Sequence, residues 1–316
     1  MKALITGGAG FIGSHVAEHF VKQNIEVHVI DNLSSGYLHN IPFVNKEYIY
    51  VKDITDFEFV THLIRQEQFD YVIHLAAMVS VVETIEKPSL SNQINIDATV
   101  HLLETIRTYN KQIKKFIFAS SAAIYGDLPS LPKSVSLSKP SPLSPYAIQK
   151  YAGEQYAKIY NHLFDIPCAC LRFFNVYGPR QNPNSDYSGV ISIMNHKFTN
   201  QTEFTFYGDG EQTRDFVYIN DLIDAMWLVL NTPTTSGSIF NIGTGIQTNL
   251  KAVFKAFEKG FKYSIPCQFK APRLGDIKHS CADITPLESL GYHPQYDIAK
   301  GIQSYLAYNK EHKVKL

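Results

Sequence analysis

The chain has 316 residues, 45% hydrophobic and 18% charged, the balance of an ordinary globular protein long enough for one large domain or two closely associated ones. Its 29 Lys and Arg match its 29 Asp and Glu, so no basic bias points to nucleic acid and no basic amphipathic stretch to a membrane surface. There is no run of about 18 apolar residues to span a membrane. The sequence enters a strand directly, so no signal peptide is expected. The four cysteines have neither disulfide nor zinc spacing, so a cytoplasmic protein with reduced cysteines and no metal is expected. An anionic ligand would then be held by locally placed cations, not by the overall field.

Residues 2–6 read as a short buried strand running into Gly7-Gly8-Ala9-Gly10-Phe11-Ile12-Gly13. A helix is expected over 14–23, with Val16, Ala17, Phe20 and Val21 at helical spacing, then a strand over 26–30 ending at Asp31. Strand, glycine turn, helix, strand and acid in this order form the context of a dinucleotide fingerprint. Glycines let backbone N–H groups approach a pyrophosphate, and the helix N-terminus adds the positive end of its dipole. By itself the turn also suits a structural strand-to-helix junction, and its Gly-x-x-Gly-x-x-Gly spacing departs from Gly-x-Gly-x-x-Gly. Asp31 follows Gly13 by 18 residues, near the offset of a carboxylate that accepts from ribose hydroxyls. No Lys or Arg lies in Asn32-Leu33-Ser34-Ser35-Gly36 to meet a 2′-phosphate, which favours NAD over NADP.

Strands and helices keep alternating. Residues 48–51 read as a strand ending at Asp53-Ile54, where an acid can meet the adenine, and 57–66 as a helix. Residues 71–75 form a buried strand that passes through His74, read as a core histidine, and Leu75 into Ala76-Ala77, small residues that admit a cofactor. A long helix over 89–109 carries Asn95, and a strand over 116–119 ends at Ser120-Ser121-Ala122-Ala123. This is the pattern of a parallel, doubly wound α/β sheet of Rossmann type. Ligands collect at the carboxyl ends of such strands, where Gly7, Asp31, Asp53, Ala76 and Ser121 fall.

Residues 126–145, rich in Pro and Ser, read as a surface loop. After it comes Tyr146-Ala147-Ile148-Gln149-Lys150, a helix start with Ser144 as cap and Pro145 in the first turn. Positions i and i+4 share a helix face, so phenol and ammonium point the same way. A nearby cation is expected to lower the tyrosine pKa from about 10 towards neutrality, making it a base for a hydroxyl proton. Alone, Tyr-x-x-x-Lys also occurs by chance on solvated helix faces. A strand over 168–173 then leads to Phe174-Asn175. Beyond Arg180 the alternation breaks down, with isolated strands around 204–207 and 215–218, helices over 221–230 and 251–259, and a strand over 239–242 returning to the sheet. A Rossmann domain of residues 1–174 plus roughly 215–243 is expected, interleaved with a smaller α+β substrate-binding domain of roughly 175–214 plus 244–316.

With these motifs in order, the chain resembles the extended short-chain dehydrogenase/reductase family over essentially its whole length. Within it, the nucleotide-sugar 4-epimerases of the UDP-glucose and UDP-N-acetylglucosamine type are most similar. The likeness includes the family's Gly-x-x-Gly-x-x-Gly turn, Ser120 to Gly126, Arg172-Phe173-Phe174-Asn175-Val176-Tyr177-Gly178-Pro179-Arg180, Gly208-Asp209-Gly210-Glu211-Gln212-Thr213-Arg214-Asp215 and Arg273-Leu274-Gly275-Asp276. It implies Tyr146 as base, Lys150 as its pKa-lowering partner and ribose ligand, and Ser121 as hydrogen-bonding member. It implies NAD bound by Gly7, Gly10, Phe11, Ile12, Gly13, Asp31, Asn32, Ser35, Gly36, Asp53, Ile54, Leu75, Ala76, Ala77, Asn95, Tyr146, Lys150 and Phe174. A UDP-sugar would be held by Ser80, Ser121, Tyr146, Asn175, Tyr207, Arg214, Arg273, Asp276 and Ser280. Arginine forks suit the diphosphate and a carboxylate suits ribose hydroxyls, while Tyr207 would stack on uracil or serve as core packing.

Two positions bear on the sugar. Epimerases confined to non-acetylated hexoses often carry Lys where this chain has Val79, followed by Ser80, and some have a bulky Tyr where it has Ser280. A small side chain leaves volume for a 2-acetamido group, although Ser280 also suits a plain polar loop. Plain hexose and uronate substrates remain open. Dehydratase and decarboxylase relatives place acids directly after the serine, where Ala122 and Ala123 stand here. A non-catalytic NAD-binding regulator would usually have lost part of the Ser, Tyr, Lys set. The resemblance further implies a homodimer through a four-helix bundle of the helices around 89–109 and 146–164.

Overall fold

The computed structural model of the protein describes residues 1–182, 189–272 and 277–312. Contacts divide the chain into two compact units. The first is Met1–Gly126 with Lys139–Phe173 and Met226–Phe240; the second is Asp127–Ser138 with Phe174–Ala225 and Asn241–Leu316. Asp127–Ser138, expected to belong with the sheet, groups instead with the second unit. Its Lys133 N–H donates to Cys281 O, and Asp283 N and the Asn241 amide both donate to Lys133 O.

The first unit opens with β1 (Lys2–Thr6), α1 (Phe11–Lys22), β2 (Glu26–Asp31), β3 (Ile49–Val51), α2 (Phe57–Glu67) and β4 (Tyr71–His74). After short helices α3 (Val81–Glu86) and α4 (Pro88–Asn92), a single π-helical turn, Gln93–Asp97, leads into α5 (Ala98–Tyr109). The long helix expected over 89–109 is thus present without a gap, with one π turn in its middle. Then come β5 (Lys115–Ser121), α6 (Pro145–Phe164) and β6 (Cys168–Phe173). The sheet is seven-stranded in the order β11-β6-β5-β4-β1-β2-β3, with β11 being Ile239–Ile242. Pairing is parallel from β3 through β6. Apolar strand positions are buried on both faces against flanking helices, as a doubly wound α/β sheet requires. One core cluster joins Leu4, Val72, Phe116 and Phe118 to Leu63 of α2, Leu102 and Ile106 of α5 and Ala157 of α6.

The second unit begins with β7 (Asn175–Tyr177), α7 (Val190–Thr199), β8 (Phe204–Tyr207), β9 (Thr213–Arg214) and β10 (Phe216–Tyr218). Helix α8 (Ile219–Asn231) leads back to the sheet; β12 (Thr248–Asn249), α9 (Leu250–Phe261), β13 (Cys267–Lys270), α10 (Thr285–Glu288) and α11 (Ile298–Glu311) follow β11. The strands that looked isolated have partners distant in sequence: β8 pairs with β13, β10 with β7 and β9 with β12. Phe198, Phe204, Phe206, Phe254 and Phe257 pack ring against ring as this unit's aromatic core. All four cysteines are free thiols. Among the described residues no helix is long and apolar enough to cross a membrane.

Candidate active site

The glycine turn delivers α1 with its N-terminus open. Gly7 adopts φ +70°, and a Cβ on Gly13 would lie 2.1 Å from Gly7 O, so the turn closes more tightly than side chains allow. Gly10 caps α1 without a side-chain bond, and the first-turn N–H groups of Phe11, Ile12 and Gly13 have no intrahelical partner. That donor set suits a pyrophosphate. Asp31, ending β2, braces the turn: its Oδ2 accepts from Ala9 N at 2.9 Å and its Oδ1 from Leu33 N at 2.8 Å. Lone pairs remain on both oxygens for ribose hydroxyls. Gly36 lies against Ala9 and Gly10, and Ser35 precedes it in the same loop. Asn32 donates to Asp53 Oδ2 at 2.8 Å, while Thr55 donates twice to Oδ1. Burial would raise the Asp53 carboxyl, but these bonds outweigh it and hold the group below the usual carboxylate range. Ile54 beside it is buried. Leu75 N and Ala76 N each donate to Thr6 Oγ1 at 3.2 Å, which draws the segment through Ala77 up to the glycine turn. The residues expected to line a dinucleotide, from Gly7 to Ala77, therefore lie at the carboxyl ends of β1 to β4.

Two of the expected ligands are differently engaged. Asn95 spends its amide inside the protein: Oδ1 accepts from Met78 N at 2.8 Å, and Nδ2 donates to Met78 O at 3.0 Å and to Gln149 Oε1 at 2.7 Å. Ser80 is buried, and its Oγ caps α3 by accepting from Glu83 N at 2.9 Å. The Asn95 role shows in no local pattern, because it depends on a loop conformation, whereas Ser80 and Glu83 have the Ser-x-x-Glu spacing of a helix start.

Ser121, Tyr146 and Lys150 come together within the first unit. Ser121 ends β5, and its Oγ accepts from Ala123 N at 3.2 Å. Ser144 caps α6 by accepting from Ala147 N at 3.2 Å, and Pro145 occupies the first turn. This start sets Tyr146 on the sheet side, where its phenol shares a hydrogen bond with the Ser121 hydroxyl. One turn on, buried Lys150 donates from Nζ to Ala119 O at 2.9 Å and lies 5.8 Å from the Tyr146 ring centroid. The expected lowering of the tyrosine by this ammonium is not what the structure gives. Burial pushes the Tyr146 phenol above its ordinary value, and only the Ser121 bond opposes it. The perturbed cation is Lys150 itself, lowered by burial to about 8, because its hydrogen bond goes to a neutral carbonyl rather than to a charged partner. The trio thus pairs a bridged hydroxyl system with an ammonium that holds its proton less tightly than an ordinary lysine yet stays charged below about pH 8, a set suited to moving a proton.

Beneath the trio lies a buried ion pair that local reading missed. Arg172 of β6 donates to Glu154 of α6 from Nε and Nη2, both at 2.7 Å, and Ser120 Oγ donates to Glu154 Oε1 at 2.6 Å. Glu154 lies four residues after Lys150 on the same helix face, a spacing that could have marked it. His74 is buried between Thr6 Oγ1 at 2.7 Å and Thr99 Oγ1 at 3.0 Å. Burial and the Lys150 charge lower it to about 3, so it stays neutral as a core group.

In the second unit, Phe174 N donates to Ile242 O, and exposed Asn175 starts β7 with its N–H on Asp215 O at 3.0 Å. Tyr207 ends β8, half-buried, and its carbonyl accepts from the Gln212 amide at 2.7 Å. Arg214 Nη1 donates to Thr213 O at 2.9 Å. Ser280 N donates to Thr213 O at 3.1 Å. Buried Asp215 gathers this region by accepting from Thr244 N, Thr244 Oγ1, Gly245 N and Ala282 N at 2.7 to 3.0 Å. It thereby brings the strands of Asn175 and Arg214 near Ser280. Arg273 and Asp276 lie outside the described residues.

A protein family described as the NAD dependent epimerase/dehydratase family matches residues 3–243. Three solved structures are similar over nearly the whole chain. A UDP-glucose 4-epimerase of Thermotoga maritima, with UDP-glucose, is 35% identical with a TM-score of 0.93, covering 99% of this chain and 100% of that one. A UDP-N-acetylglucosamine 4-epimerase of Methanobrevibacter ruminantium, in complex with UDP-N-acetylmuramic acid, is 34% identical with a TM-score of 0.91, covering 98% of each. A UDP-glucuronic acid 4-epimerase of Bacillus cereus, with UDP-glucuronic acid and NAD, is 31% identical with a TM-score of 0.88, covering 99% and 100%.

Proposed function

The chain belongs to the NAD-dependent epimerase/dehydratase family, and on that premise we propose that it is a UDP-sugar 4-epimerase whose preferred substrate pair is UDP-N-acetylglucosamine and UDP-N-acetylgalactosamine. The observation that carries the reading is the trio of Ser121, Tyr146 and Lys150 assembled at the carboxyl end of β5. Tyr146, as phenolate, takes the proton of the sugar 4-hydroxyl and returns it to the oxygen once the hydride comes back, with Ser121 sharing its hydrogen bond throughout. Lys150 keeps a positive charge beside the phenol below about pH 8. The chemistry of bound NAD is removal of hydride from C4 and its return to the opposite face of the 4-keto sugar, leaving the cofactor unchanged. The amides of Phe11, Ile12 and Gly13 are the proposed pyrophosphate donors, and Asp31 and Asp53 the acceptors for ribose and adenine. Asn175, Arg214 and Arg273 are the proposed ligands of the UDP diphosphate, with Tyr207 on the uracil and Asp276 on the ribose. A homodimer through α6 is part of the proposal.

The acetylated substrate is supported by size at Ser280, where a bulky side chain would crowd a 2-acetamido group, and by Val79, which stands where epimerases confined to non-acetylated hexoses often carry Lys. UDP-glucose and a UDP-uronate are the alternatives. Ala122 and Ala123 offer no acid for an elimination, which weighs against a dehydratase. Incubation with UDP-N-acetylglucosamine should yield UDP-N-acetylgalactosamine with no net NADH in a proton NMR time course. Protein that binds the sugar nucleotide but leaves C4 unchanged would refute the activity. Across a panel of UDP-sugars, Ser280→Tyr should lose the acetylated substrates only, and equal loss of all would remove the size argument.

A further inference from the structure

Gln149 stands between exposed Ile148 and Lys150 on α6, yet its side chain is buried. Its contacts run in one direction. Ser91 Oγ donates to Pro88 O at 3.0 Å, so towards Gln149 it can only accept, and Gln149 Nε2 donates to it at 2.8 Å. That fixes which end of the Gln149 amide faces Asn95: Oε1 accepts from Asn95 Nδ2 at 2.7 Å. With Nδ2 so directed, Asn95 presents Oδ1 to Met78 N at 2.8 Å and its second amide hydrogen to Met78 O at 3.0 Å. Reversing either amide would set donor against donor in a buried site. The π-helical turn Gln93–Asp97 is what carries Asn95, and such turns recur at functional sites.

The segment held this way leaves β4 and runs from Leu75 to Ser80. Thr6 Oγ1 pins its beginning, next to Gly7, and Ser80 pins its end by capping α3. Its middle depends on Asn95, and Asn95 depends on Gln149. We propose that Gln149 is a positioning residue: acting through Asn95, it fixes the 76–80 segment and couples the helix of Tyr146 and Lys150 to the strand end where cofactor and sugar bind. This rests on the epimerase reading for the identity of those ligands. Both ends of the Gln149 amide are taken by Asn95 and Ser91, and Tyr146 and Lys150 keep their own bonds to Ser121 and Ala119 without it.

The test compares the full-length protein with Gln149→Leu, Asn95→Ala and the double variant. NAD dissociation constants are measured by calorimetry, and kcat and KM for the UDP-sugar over a range of pH. Gln149→Leu is expected to weaken NAD binding about three- to thirty-fold and to raise KM, leaving the pH profile of kcat in place. The double variant should bind NAD no more weakly than Asn95→Ala, because the effect passes through Asn95. An unchanged NAD affinity in Gln149→Leu, or additive losses in the double variant, would overturn the proposal. Should Gln149→Leu not fold, Ser91→Ala removes one hydroxyl only and must still weaken NAD binding; unchanged affinity there also overturns it. Wild-type protein that binds NAD but does not epimerise would refute the functional reading alone, since the affinity comparisons remain decisive for Gln149.

Discussion

At the scale of single residues, buried charge sets the terms. Lys150 keeps its ammonium in a site that lowers its pKa to about 8 from 10.5, so below pH 8 the folded state bears a charge it would rather lose. That penalty is full below the folded value and disappears as pH rises from about 8 to 10.5, where the unfolded chain binds the extra proton. Lys150→Met should therefore be more stable than wild type at pH 7, inactive as an epimerase, and progressively less advantaged in thermal melts as pH rises through 9. Glu154 and Arg172 compensate one another instead. Glu154→Gln leaves the guanidinium buried without its carboxylate and should lose about 3–5 kcal/mol in denaturant titrations. Replacing both by Leu and Met should lose clearly less, since no charge is then stranded. The shared helix face of Tyr146 and Lys150 and the strand-end place of Ser121 were legible from periodicity, while their joining into one set was implied by the family resemblance. The direction of the Tyr146 shift was not legible, because it depends on where the lysine's hydrogen bond goes, and Ala119 O is a backbone atom with no signature.

At the scale of elements, the closeness of α6 to β5 governs the geometry of the trio. A Cβ on Gly153 would come within 2.2 Å of the Phe118 ring, and that buried ring has Lys150 Nζ 5.2 Å from its centroid. Ala favours helix over Gly by about 1 kcal/mol, but overpacking a full core typically costs about 1–3 kcal/mol. Gly153→Ala should thus melt lower than wild type and show a reduced kcat as the displaced ring moves Lys150. The parallel strands and their flanking helices could be read from apolar runs alone. The π turn in the expected 89–109 helix could not, since one extra residue per turn leaves the composition unchanged. Nor could the pairing of β8 with β13, whose partners Phe204 and Cys267 are far apart in the chain. The loop-clamping use of Asn95 was hidden for the same reason, since its partners Met78 and Gln149 lie 17 and 54 residues away.

For the whole molecule, α6 turns apolar residues outwards: Ile159 is 43% and Leu163 58% exposed, and Tyr156 and Ile148 are exposed as well. A contiguous face of this kind is expected to be covered by a partner. The proposed dimer should sediment as such, and Ile159→Glu with Leu163→Glu should shift it to monomer without unfolding it.

The order of the sheet also has a consequence in time. Strand β6 ends at Phe173 and its neighbour β11 begins at Ile239, 66 residues later. At about 5–20 residues per second of synthesis, that gap lasts roughly 3–13 s. During it the six N-terminal strands can pair while the free side of β6 has no partner. An unpaired edge of buried, apolar character is a template for foreign strands. The finished protein hides that edge behind a four-residue strand, whereas a chain halted in the interval would display it to every neighbour.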